Sequence, residues 1–128
     1  MTRPYSRCVG IALVLFGLFG LAWSTLRDEE PLFGLLNIGP LESSFHLVTG
    51  ALLAYVGFRV ASLGLARAVV GVIGVVYLLV AALFFVSSDL FDTLPSDFTD
   101  ADNLLHLVVG LLGVAAALPI GRRPVPAT

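Results

Sequence analysis

Four long apolar stretches separated by short polar segments set the pattern of the chain. Cys8 to Leu26 is uncharged over 19 residues and Ala68 to Ser88 over 21. Each matches the roughly 20 helical residues that cross a bilayer core. Two further stretches follow acidic segments: Ser43 to Phe58, 16 residues before Arg59, and Asn103 to Gly121, 19 residues before Arg122. The shorter one reaches position 61 if Arg59 runs its stem toward the interface. The pattern therefore predicts an all-α membrane fold, a bundle of four transmembrane helices at about 8–26, 43–61, 68–88 and 103–120 in a single domain over residues 1–128. Pro119, in the last turn of the fourth helix, either kinks or ends it.

A self-comparison turns four helices into two hairpins. Phe45-His46-Leu47-Val48-Thr49-Gly50-Ala51-Leu52 matches Leu105-His106-Leu107-Val108-Val109-Gly110-Leu111-Leu112 at an offset of 60, and the chain's two histidines both fall in this match. Glu42 aligns with Asp102. The reading is a parallel internal repeat of two tandem helical hairpins with a pseudo-two-fold axis along the membrane normal. Helices in lipid associate where small residues let backbones approach. The packing stripes are Gly10, Gly17 and Gly20 on the first helix, Gly50, Ala54 and Gly57 on the second, Gly71 and Gly74 on the third, and Gly110 and Gly113 on the fourth. Tight packing of the four helices accounts for these stripes better than a dedicated dimer motif, though a homo-oligomer stays open.

Composition sharpens this. The residues are 58% apolar and 12% charged, with mean hydropathy +0.99. A soluble domain of this size cannot hide so much apolar surface in one core. Arg3 and Arg7 precede the first helix, Arg59 and Arg67 bracket the turn between the second and third, and Arg122 and Arg123 follow the fourth. All nine acids lie in the other two connections, 27–42 and 89–102: Asp28, Glu29, Glu30 and Glu42, then Asp89, Asp92, Asp97, Asp100 and Asp102. Arg27 is their only basic companion. The positive-inside rule places both termini in the cytoplasm and both acidic loops outside, in a multi-pass protein of the cell membrane. The first helix is not read as a cleaved signal, because Leu21-Ala22-Trp23-Ser24-Thr25 lacks the small-x-small cleavage pattern. Cys8 is the single cysteine and forms no intrachain disulfide. Tyr5, Trp23, Phe91 and Phe98 suit interfacial anchoring, and Leu32 to Leu36 and Leu90 to Leu94 are expected to lie along the interface as a helical turn or an irregular cap. Acidic loops and seven arginines with no lysine raise a halophilic origin, or a GC-rich genome.

Chemistry concentrates at one constellation. Glu42 and His46 are four apart, as are Asp102 and His106, so each pair shares a helix face near its acidic end. Brought together by the repeat, two imidazoles and two carboxylates would suit zinc or another divalent metal. Two histidines alone would suit haem, and the pair could also serve as a proton sensor. The simpler reading is structural: Glu42 with Ser43 and Ser44, and Asp102 with Asn103, cap helices, each histidine bonding its own carboxylate or a loop carbonyl. No charged residue lies inside a span, which argues against a pump or coupled transporter. Thr49, Tyr55 and Tyr77 are expected to make interhelical hydrogen bonds. No phosphate loop, nucleophile elbow or basic nucleic-acid patch is present.

The stretches Phe45-His46-Leu47-Val48-x-Gly50 and Ala101-Asp102-Asn103-Leu104-Leu105-His106-Leu107, with Gly74-Val75-Val76-Tyr77-Leu78-Leu79 between them, resemble the four-helix membrane proteins grouped as domain of unknown function 4383, from roughly Gly17 to Leu118. The resemblance implies an integral membrane protein of prokaryotes without an assigned substrate or cofactor. A His-Asn pair that often precedes the family's first histidine is replaced here by Glu42 and Ser43. The sequence thus leads to a non-enzymatic membrane protein, structural or an accessory subunit to a membrane partner, with no cofactor and no nucleic acid. The alternative is a small metal- or haem-binding membrane protein using His46 and His106, and a small-molecule carrier is third.

Overall fold

In a computed structural model of the chain, residues 1–26, 32–33, 35–36, 38–86 and 99–119 are described. They form four helices: α1 (Thr2–Leu26), α2 (Pro40–Arg59), α3 (Leu63–Val86) and α4 (Asp100–Ala117). At 1.5 Å per residue these run from about 27 to about 37 Å, the thickness of a bilayer core or slightly more. All four are long and apolar enough to cross a membrane.

Each helix departs from its uncharged run for a local reason. α1 starts at Thr2 rather than near Cys8. Its two arginines do not interrupt it, because Arg3 donates to the Ala61 carbonyl at 2.7 Å and the Arg7 Nε to the Gly57 carbonyl at 2.8 Å. α2 starts at Pro40, whose missing N–H costs nothing in a first turn. It stops at Arg59, since Val60 is already extended, so the expected continuation through Ala61 does not occur. α3 opens at Leu63, with the Ser62 hydroxyl accepting from the Leu65 N–H at 3.3 Å. α4 ends at Ala117, and Leu118 is extended, as the residue before a proline prefers. Pro119 therefore lies beyond the helix and does not kink it. The expected loops shrink to match, because Pro40 to Glu42 and Asp100 to Asp102 are helical.

α1 packs mainly on α2 and α3 mainly on α4, as two hairpins with thinner contact between them. Glycine sets the close approach inside each. A Cβ on Gly10 would stand 2.5 Å from the Ala54 nitrogen and 2.9 Å from the Gly50 oxygen. One on Gly74 would stand 2.8 Å from the Val114 nitrogen and 3.0 Å from the Gly110 oxygen. Gly17, Gly20, Gly50, Gly57, Gly110 and Gly113 are equally crowded, whereas Gly71 would meet only the Ala117 side chain, at 3.2 Å. The buried positions of α2 (Glu42, Ser43, His46, Gly50, Leu53, Val56) recur on α4 as Asp102, Asn103, His106, Gly110, Gly113 and Ala116, at the same offset of 60.

Leu13, Leu53, Val70, Ile73, Tyr77 and Ala116 form the core between the hairpins. Polar contacts cross the same seam: Thr2 donates to the Ala116 carbonyl at 2.7 Å, Tyr5 to the Val109 carbonyl at 2.7 Å, and the Thr49 and Tyr77 hydroxyls meet at 2.9 Å. Tyr5 is thus an interhelical tie rather than a membrane-surface anchor. Thr49 and Tyr77 bond between helices as expected, while Tyr55 is 60% exposed on the outer face of α2. Leu15, Val48, Val72, Leu79 and Leu104 also face outward, the arrangement a lipid solvent favours.

The two ends differ in charge. Arg3, Arg7, Arg59 and Arg67 gather at one end, and Glu42, Asp100 and Asp102 at the other. Arg27, Asp28, Glu29, Glu30, Asp89, Asp92, Asp97, Arg122 and Arg123 lie outside the described residues, as do Phe91, Phe98 and the segment from Leu90 to Leu94. At the acidic end, Leu32 and Leu36 close a tight turn through a 2.8 Å hydrogen bond. Phe33 occupies the left-handed region with φ 55, unusual for an aromatic residue. Phe33 and Leu35 are exposed, and Ile38, 2% exposed, wedges beneath beside Gly20 and Ser43.

Candidate metal centre

His46 and His106 each stand six residues into their helices, about 9 Å from the helix start. Among the described residues α2 and α4 have no close backbone contact, being diagonal in the bundle. The imidazoles bridge that diagonal: their rings are stacked, 5.5 Å between centroids and 17° between planes. Bundle cores of this kind bring inward-facing ligands from separate helices to one point.

Glu42 joins the histidines from one turn nearer the acidic end. One ligand atom from each of Glu42, His46 and His106 lies within 4.8 Å of the other two, and all three residues are buried. Two nitrogens and a carboxylate oxygen held about 2.0–2.2 Å from one ion in tetrahedral geometry stand about 3.3–3.6 Å apart, so side-chain adjustment of about an ångström completes the site. Within the cluster, Glu42 Oε2 and His46 Nδ1 are buried without a hydrogen-bond partner. A buried carboxylate oxygen without a partner is costly in an apolar interior, and a cation is one of the few groups that removes the cost.

Aromatic rings enclose the pair. Phe16 meets His46 edge-on at 5.3 Å, and Tyr77 lies 6.2 Å from His46 and 5.4 Å from His106. Tyr77 is held by Thr49, whose hydroxyl donates to the Phe45 carbonyl at 2.8 Å. Phe16 and Tyr77 were not singled out as site residues by sequence. Tyr77 had a signal: past Arg67 it is the only side chain of α3 with a polar group.

The fourth expected ligand behaves differently. Asp102 is buried, but its Oδ2 accepts from the Thr99 N–H at 3.0 Å while the Thr99 hydroxyl accepts from the Asp102 N–H at 3.3 Å. This reciprocal capping box starts α4. The Thr99 hydroxyl also donates to the Leu35 carbonyl, tying the first connection to the second hairpin. Of the four candidates, Glu42, His46 and His106 come together, and Asp102 serves the helix end. The capping expected of Glu42, Ser43 and Ser44 is not seen. The N-cap of α2 is Gly39, with no side-chain cap bond, and the serine hydroxyls turn back to the carbonyls of Ile38 and Pro40.

No curated protein and no solved structure matches the chain. A family model, described as a domain of unknown function (DUF4383), matches residues 3–118. With four apolar helices in hairpins and nearly the whole chain covered, the protein belongs to that family of unknown function, domain of unknown function 4383.

Proposed function

We propose that this is a multi-pass protein of the cell membrane that holds one divalent first-row transition metal ion through Glu42, His46 and His106, with both termini cytoplasmic and the metal near the outer face. The observation that carries the reading is the convergence of three buried ligand groups from two diagonal helices to within 4.8 Å. Two histidines and one carboxylate leave coordination positions open and suit zinc or iron(II). Orientation rests on the arginines at the end opposite the site. The matching buried positions of α2 and α4 support a duplicated hairpin, with the ion near its pseudo-two-fold axis. Haem is the weaker ligand, because Tyr77 fills the space beside both imidazoles. The proposed role is to hold metal without catalysis. An accessory-subunit role is compatible with it but has no residue of its own.

Elemental analysis of protein purified without chelators, together with its visible spectrum, tests the reading. About one zinc or iron per chain is expected, lost in His46→Ala and in His106→Ala. Metal-free protein that also fails to take up zinc, iron(II) or manganese on titration overturns it. A haem Soret band would transfer the site to the haem reading.

A further inference from the structure

A second feature lies at the opposite end of the bundle and is independent of the metal. Between α3 and α4 an open groove of about 420 Å³ runs over Gly71, Val72, Val75, Val114 and Ala117, with Arg67 among its lining residues. At Gly71 the absent side chain leaves its floor open beside Ala117. From Arg67 to Val76, the last α3 residue lining it, the groove extends nine residues, about 14 Å of helix. That is close to the roughly 15 Å depth of one bilayer leaflet, half of the core.

Charge selects what fills it. The described arginine end contains no acid. Arg3 and Arg7 satisfy their guanidinium groups on the backbone carbonyls of Ala61 and Gly57. Arg67 has no such carbonyl: its Nε is buried and lacks a hydrogen-bond partner. A half-buried arginine among the residues lining an apolar, leaflet-deep groove matches a molecule with one anionic head and one hydrocarbon tail. Guanidinium donors fit phosphate oxygens in two-pronged fashion.

We propose that this groove is a binding site for an anionic glycerophospholipid, its phosphate on Arg67 and one acyl chain along Gly71, Val72 and Val75. Native mass spectrometry of the full-length protein, released from bilayers of equal phosphatidylglycerol and phosphatidylcholine, tests it. The wild type should retain one phosphatidylglycerol in preference to phosphatidylcholine by about tenfold, the worth of one charge-assisted contact. Arg67→Gln should abolish the preference, whereas Arg59→Gln, at an exposed arginine of the same end outside the groove, should keep it. Val75→Phe, which fills the groove and leaves the charge, should reduce retention of both lipids. Equal retention of the two lipids by the wild type overturns the proposal. So does an equal loss in Arg59→Gln and Arg67→Gln, or a dimer that Val75→Phe dissociates.

Discussion

The N-terminal turns of α2 and α4 occupy equivalent places in two similar hairpins, yet they use an acid at the same register differently. On α4, Asp102 and Thr99 cap each other, and the helix end is satisfied by its own side chains. On α2 the N-cap is Gly39, Pro40 removes one N–H from the first turn, and Glu42 keeps a buried oxygen with no hydrogen-bond partner. The difference traces to one position: a threonine precedes α4 where a glycine precedes α2. A side chain able to engage the acid ties it into capping, and its absence leaves Glu42 Oε2 without a hydrogen-bond partner. Similar backbones thus yield one structural carboxylate and one with ligand character.

The sharpest way to break this comparison is to neutralise each acid without changing its shape. Glu42→Gln should lower metal affinity at least about a hundredfold, beyond the tenfold to hundredfold typical of groups that only support ligands. Asp102→Asn should leave affinity within about threefold and lower the unfolding temperature instead. Isothermal titration with zinc and thermal unfolding in detergent measure the two effects, and equal losses of affinity would remove the distinction between the acids.

Below the differing ends the hairpins should respond alike. Gly50→Val and Gly110→Val each force a side chain against a facing backbone oxygen now 2.9 Å from the Cβ position. Each should destabilise by about 2 kcal/mol, the usual range for overpacking. Unfolding in detergent by denaturant checks this, and a large effect in one hairpin alone would show that the matched contacts are unequal in weight.

The caps should then differ in the expected direction. Thr99→Ala removes a cap from α4 and should cost about 1 kcal/mol. It also releases the Leu35 carbonyl, so amide exchange at Leu35 and Leu36 should quicken. The smallest effect belongs to Gly39→Ser, which offers α2 a cap and should add only a few tenths of a kcal/mol. If that serine also engages Glu42, metal affinity should fall, making α2 resemble α4.

Much of this architecture was legible in sequence because membrane solvent imposes a coarse and strong rule. Every span must satisfy its own backbone, so long uncharged runs are helices. The boundaries were less legible, since Arg3, Arg7 and Pro40 read as breaks in an apolar pattern while each fits a helix end with a local partner or a spare N–H. At the site, spacing put Glu42 with His46 and Asp102 with His106 on shared faces. It gave the acids equal roles, because capping depends on whether a side chain one turn earlier reaches back.

The sequence by itself determined four spanning helices, the segregation of arginines from acids, and the matched histidines, because hydropathy, charge and spacing are properties of the chain in one dimension. Tertiary structure alone decided that His46 and His106 stack across the diagonal, that Tyr77 closes beside them, and that Glu42 rather than Asp102 joins them. Those outcomes depend on which backbones approach and which hydrogen bonds the helix ends complete. Both follow from contacts between residues distant in the chain, set by glycine clearance inside each hairpin and by the carbonyl of Leu35 meeting Thr99.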